Sequence, residues 1–109
     1  IFNDNYPIVI FNEKIEEDQG KVRYIKYTKN NITSDLNNYL YKEGKQSLLI
    51  EGGATTINSF LKNHKWDEAK VLIGNKKFKN GIISPKIKNS LPFSISTHGE
   101  DKIIEYRND

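Results

Sequence analysis

Leu48-Leu49-Ile50-Glu51-Gly52-Gly53-Ala54-Thr55-Thr56 sets an apolar run against an acid, then two glycines, then the opening of a helix. Ser47 to Ile50 reads as a strand that is apolar on both faces, as in the middle of a sheet covered by helices. Ala54, Ile57, Phe60 and Leu61 recur at helical spacing and form the inward stripe of a helix from about Ala54 to Asn63. Glu51 then stands at the carboxyl end of a strand, where open α/β sheets bind their ligands. The glycines let backbone approach a ligand closely. The helix start offers unpaired N–H groups and a partial positive charge, which suit a phosphate. No acid lies in that first turn, while Lys62, His64 and Lys65 stand at the far end, where cations are favoured.

Outward from this stretch the chain alternates element types. Pro7 to Phe11 is a short apolar run, read as a buried strand. Glu16-Glu17-Asp18-Gln19-Gly20 reads as an acidic loop closed by a glycine, and Lys21 to Tyr27 as an alternating second strand. Thr33 or Ser34 is placed to cap a helix with Asp35 in its first turn and Leu36, Tyr39 and Leu40 on its buried face. Gly44 ends it. After Trp66-Asp67-Glu68 comes a strand from Ala69 to Ile73, then a basic loop from Gly74 to Gly81 and a stretch broken by Pro85 and Pro92. Phe93 to Thr97 and Lys102 to Tyr106 flank His98-Gly99-Glu100-Asp101 as a terminal hairpin. The expected order is β, β, α, β, α, β, β, β: an α/β sheet flanked by helices and finishing in an antiparallel pair.

A chain of 109 residues, 36% hydrophobic and 28% charged, suits one domain and hardly two. Its net charge of +3 comes from 17 scattered basic residues, only two of them Arg. Scattered lysine reads as surface solvation, so no nucleic-acid partner is expected. No run is long enough for a membrane span, and no signal peptide is expected. The absence of Cys removes disulfides, thiolate nucleophiles and Cys-type zinc sites, and fits a cytoplasmic setting. The chain opens on Ile1 and contains no Met. That start reads as a cut, a processed end or the first ordered residue.

Each candidate residue has a plain reading as well as a functional one. Glu51 is either a solvated or capping carboxylate or a ligand contact. Gly52-Gly53 is either a simple turn or part of a phosphate site to which Thr55, Thr56 and Ser59 add hydroxyls; it is not a full Gly-x-Gly-x-x-Gly fingerprint. His64 and His98 lack metal-ligand companions, so no metal site is expected. Ser94 and Ser96 read as the solvent face of a strand, without a nucleophile elbow. Tyr39, Phe60 and Trp66 read as core or core edge.

The segment Leu48 to Leu61 followed by Trp66-Asp67-Glu68 resembles the reductase domain of the bifunctional riboflavin-biosynthesis deaminase/reductase. The loop Ile73 to Phe78, the ending Gly99 to Tyr106 and the early strand reaching Phe11-Asn12 fall where that family has similar features. The resemblance implies a dihydrofolate-reductase-like fold: a mixed sheet flanked by helices, ending in a hairpin. It implies reduction of the ribosyl group of 5-amino-6-(5-phosphoribosylamino)uracil to the ribityl form with NADPH. It assigns the substrate contact to Glu51 and the cofactor contacts to Gly52, Gly53, Ala54, Thr55, Thr56, Ile57, Asn58 and Ser59, with Asn12 as a further contact. It also implies a homodimer, and it leaves the catalytic residue unknown.

The family's reductase domain is longer than this chain, and its amino-terminal part carries contacts to substrate and cofactor. No zinc-deaminase signature is present, and the loop Lys76 to Gly81 is more basic than the glycine-rich form usual in the family. Residues 1–109 are therefore expected to be the C-terminal part of a single reductase domain, without the deaminase and without substantial activity alone. A non-catalytic nucleotide-binding or assembly module of the same fold, or a pterin reductase, are the alternatives.

Overall fold

The computed structural model describes residues 6–88 and 90–108. The chain divides between Leu48 and Leu49 into two units.

The first unit holds β1 (Ile8–Asn12), β2 (Glu17–Gln19), β3 (Val22–Lys26) and α1 (Ile32–Lys42). β1 runs parallel to β3, with Ile8 opposite Val22 and Asn12 opposite Lys26. β2 runs antiparallel on the other side of β3, giving the order β1-β3-β2. The acidic stretch expected to be a loop thus contains a strand. Glu, Asp and Gln have poor strand propensity, but pairing outweighs it in a tight hairpin. Gly20 supplies the turn with φ +75, and its N–H donates to Asp18 Oδ1 at 3.1 Å. The charged, exposed residues of β2 suit a sheet edge.

α1 begins at Ile32 with Asn31 as its N-cap, not at Thr33 or Ser34. Thr33 is buried within the first turn, and the Asp35 carboxylate accepts the Thr28 N–H at 3.2 Å. Leu36, Tyr39 and Leu40 form a half-buried face as expected. Tyr39 meets Phe11 edge to face, with centroids 5.4 Å apart, a favoured aromatic geometry.

The second unit holds α2 (Ala54–Lys62), β4 (Glu68–Ile73), β5 (Pro92–His98) and β6 (Asp101–Arg107). The strands are antiparallel in the order β4-β6-β5. The expected terminal hairpin is present, with Gly99 at φ +60 in its two-residue turn. Asn108 ties the end of β6 to the connector before β4: its N–H donates to Asp67 O at 2.9 Å and its Nδ2 to Trp66 O at 2.8 Å.

Two expectations are corrected here. Ser47 to Ile50 is not a strand, because among the described residues no strand pairs with it; a strand exists only through a neighbour's ladder bonds. The ladders of the described residues form two three-stranded sheets, within the expected mixed α/β class. On β5, Ser94 and Ser96 are half-buried while Ile95 is 61% exposed. β5 is an edge strand, and that face of it carries no covering layer sufficient to bury Ile95.

Both helices end in the same way. Past α1, Gly44 N–H reaches Tyr41 O and Lys45 N–H reaches Leu40 O; past α2, His64 N–H reaches Leu61 O and Lys65 N–H reaches Phe60 O. These are paired Schellman bonds, which require a left-handed residue at the turn. Gly44 adopts φ +70 at no steric cost, whereas His64 sits at φ +53 with a side chain. Replacing His64 with Gly is expected to stabilise the protein by about 0.5–1 kcal/mol, read as a raised urea midpoint with unchanged slope.

Candidate functional site

The site expected from the sequence lies at the start of α2. Ala54, Ile57 and Leu61 are half-buried and Phe60 is 5% exposed. The apolar stripe therefore faces inward as the 3.6-residue period requires, and the opposite side of the helix start faces solvent. Glu51, Gly52, Gly53, Thr55, Thr56 and Asn58 are exposed, while Ile57 and Ser59 are half-buried.

Gly53 is the N-cap, and the first intrahelical bond runs from Ile57 N–H to its carbonyl at 3.1 Å. The preceding N–H groups have no intrahelical acceptor. No side-chain cap takes them, and the first turn holds no acid. The helix end thus keeps its partial positive charge uncompensated by its own residues. Among the described residues Glu51 makes no hydrogen bond or ion pair, so its carboxylate is solvated and does not cap the helix.

The two glycines differ in why a side chain is missing. A Cβ on Gly52 would stand 3.2 Å from Thr56 Cβ, so the turn itself disfavours one. Gly53 has φ −65 and ψ 174, open to any residue, and a Cβ there would meet nothing within 4 Å. Neither strain nor local packing calls for glycine at 53. What glycine leaves there is bare backbone next to unpaired N–H groups.

Asn12 lies at the end of β1 in the first unit, and its carboxamide is engaged locally. Oδ1 accepts Lys14 N–H at 2.9 Å and Ile15 N–H at 2.7 Å. Nδ2 donates to Ile15 O at 3.0 Å and lies 3.5 Å from Ile25 O. This is an Asx-type turn, in which a short side chain stands in for backbone. Residue identity alone did not reveal it, although Asn after a strand is a known turn signal.

Elsewhere in the first unit, a groove of about 790 Å³ between β3 and α1 carries both charge signs, including Asp18, Arg23, Lys42 and Glu43. Arg23 pairs with Glu43 at 3.2 Å. The Tyr39 hydroxyl first, and Glu43 after it, raise the Arg23 pKa above its ordinary value. Among the described residues no group of three His, Asp or Glu is placed to hold a metal, and no helix is long and apolar enough to cross a membrane.

Replacing Asn12 with Ala is expected to cost about 1–2 kcal/mol, because two backbone N–H groups lose their acceptor. Asp at the same position keeps both accepted bonds and is expected to restore most of the loss. Urea titration of the three proteins compares them.

The model of the RibD C-terminal domain matches residues 1–77, a span that contains both β1 and the glycine turn. No curated protein matches the sequence. A solved structure, the diaminohydroxyphosphoribosylaminopyrimidine deaminase/5-amino-6-(5-phosphoribosylamino)uracil reductase of Thermotoga maritima, is similar with a TM-score of 0.74 at 19% identity. The similarity covers 97% of this chain and 32% of that one, so it reaches past residue 77 to the terminal hairpin. The chain thus spans about a third of that protein's length, and at this identity the likeness speaks for the fold. Because the family match takes in well over half of its residues, the chain belongs to the RibD C-terminal domain family.

Proposed function

We propose that this chain is the C-terminal part of a reductase domain that converts the ribosyl group of 5-amino-6-(5-phosphoribosylamino)uracil to the ribityl form with NADPH. The observation that carries the reading is the glycine turn at α2: a capless, acid-free helix start beside a glycine with no local reason to be one. Family membership and the reductase activity in the solved relative's name support it.

The residues present fit a dinucleotide phosphate. The open side of Gly53 admits an oxygen close to the backbone. The N–H groups at the start of α2 donate to it, and the exposed Thr55 and Thr56 hydroxyls lie on the same turn. In this reading Gly52 to Ser59 form the cofactor segment, with Gly52 shaping the turn and half-buried Ile57 anchoring it. The family resemblance gives Asn12, at the end of β1 in the first unit, as a further cofactor contact.

NADPH, when bound, supplies the hydride. The protein's contribution is positioning, which lowers the barrier by holding the reacting atoms close and aligned. The free carboxylate of Glu51 accepts hydrogen bonds from sugar hydroxyls, and its place just before the turn sets sugar and cofactor side by side. The preference for NADPH over NADH comes from the family resemblance, since no Arg stands in residues 51–62 to mark a 2′-phosphate. A homodimer in the cytoplasm completes the reading.

Two substitutions in the full-length protein test it. Gly53→Asp places a good capping side chain at a backbone that accepts it, so stability is expected to hold or rise by about 0.5–1 kcal/mol. Its charge occupies the phosphate's place, so NADPH affinity by calorimetry is expected to fall at least about tenfold. Undiminished affinity would remove the helix end from the site. Glu51→Gln is expected to leave NADPH binding and stability unchanged while lowering kcat/KM about 10- to 100-fold. Normal turnover would end the substrate role of Glu51.

A further inference from the structure

The basic loop after β4 has no part in the site described above. Between β4 and β5 the described residues 74–88, 90 and 91 form no helix or strand. An irregular stretch longer than about 12–15 residues is uncommon in a compact unit, and is usually a binding loop, a lid or a linker. This one carries a single sign of charge. Lys76, Lys77, Lys79, Lys86 and Lys88 fall in it, and no Asp or Glu occurs from residue 69 to residue 99. All five lysines are exposed. Among the described residues none of their ammonium groups has a hydrogen bond or ion pair.

The second unit brings this loop to the end where the glycine turn stands. At one end of the sheet, Asn108 Nδ2 donates to Trp66 O at 2.8 Å and to His64 O at 3.4 Å. The C-terminal end of α2 is thus tied beside the close of β6. At the other end Ile73 lies opposite Lys102, and Asn75 Nδ2 donates to Glu100 Oε2. A Cβ on Gly74 would stand 3.7 Å from Asp101 Oδ1. The base of the loop is therefore held on the hairpin turn. With its last turn tied at the opposite end and its apolar stripe facing inward, α2 runs back along the sheet. Its start and Gly74 then share the hairpin end. Packed layers lie about 10 Å apart, and the extended chain from Gly74 to Lys77 spans about 10 Å. The loop's lysines are long enough to reach over the start of α2.

We propose that Lys76, Lys77 and Lys79 form a strap that closes over a ligand at the glycine turn and clamps its phosphomonoester. The inference rests on reading the start of α2 as a phosphate site. That helix start offers backbone N–H groups and about half a unit of positive charge. A phosphomonoester carries close to two negative charges at neutral pH, more than a helix end balances. Three ammonium groups without internal partners balance it, as point charges on flexible stems. Gly81, at φ +149, turns the chain back after Lys79. Both ligands of the proposed reaction carry such a group: NADPH at its 2′ position and the substrate on its ribosyl group. Residues 51–62 hold no Arg to meet either one. Closure of the strap would also shed water from the phosphate and strengthen its hold.

The triple variant Lys76→Gln, Lys77→Gln, Lys79→Gln of the full-length protein tests this, beside the triple variant with Arg at the same positions. If the strap takes the cofactor's phosphate, the Gln variant loses NADPH affinity at least about tenfold by calorimetry, while NADH affinity changes less than about twofold. If it takes the substrate's phosphate, both cofactors bind as before and KM for the substrate rises at least about tenfold with kcat held. Either result supports the clamp, and the two tell its sources apart. In both cases the Arg variant keeps wild-type values. The effect also shrinks as salt rises from about 0.05 to about 0.5 M, which a loss of fold would not do. Unchanged NADPH affinity together with unchanged KM would overturn the proposal and leave the reductase reading standing. An equal loss for NADPH and NADH would overturn it too. Wild-type protein that binds neither cofactor would sink the reductase reading and the strap with it.

Discussion

The burial of Phe60 governs the second unit. Among the described residues it is the one large apolar side chain with exposure as low as 5%, and with Ala54, Ile57 and Leu61 it decides which side of α2 faces inward. Once that side is set, the rest of the helix start has no freedom. Gly52, Gly53, Thr55 and Thr56 turn to solvent, and the unpaired N–H groups of the first turn are presented along with them. The candidate site is thus a by-product of hydrophobic burial one to two turns away, on the far side of the same helix.

The two ends of α2 illustrate opposite demands on backbone. At its C-terminus the orphan carbonyls are satisfied internally, even though His64 must take a left-handed conformation to achieve it. At its N-terminus no side-chain cap and no first-turn acid answers the orphan donors, and among the described residues no carboxylate reaches back from Glu51. Helices with free choice fill both ends. α2 fills one and leaves the other open beside a glycine that neither strain nor packing explains. α1 likewise lacks a side-chain cap, but unlike α2 it carries an acid, Asp35, in its first turn.

The plain and functional readings of each candidate residue separate in the structure for different reasons. Phe60 behaves as a core residue and half-buried Tyr39 as core edge, because aromatic burial at helical spacing is a local pattern. Asn12 has a full set of turn bonds, so its conformational role stands beside the cofactor role that the family resemblance gives it. Among the described residues Glu51 has no partner, which removes the capping explanation and leaves solvent or a ligand. Ser94 and Ser96 lie half-buried where a solvent face was expected, and Ile95 lies exposed, because alternation along a strand tells which residues share a face but not which face is covered.

What the sequence determined by itself is local. Both helices, their inward stripes, the Gly44 and Gly99 turns, the terminal hairpin and the glycine turn at α2 all depend on interactions within a few residues, so their periodicity and end signals are legible. What only tertiary structure decided is pairing. β2 is a strand despite its acidic composition, because a tight hairpin brings it against β3. Residues 47–50 are not a strand despite apolar composition, because no strand among the described residues pairs with them. A strand's existence, unlike a helix's, is a property of its neighbours, because its ladder bonds run to a separate segment.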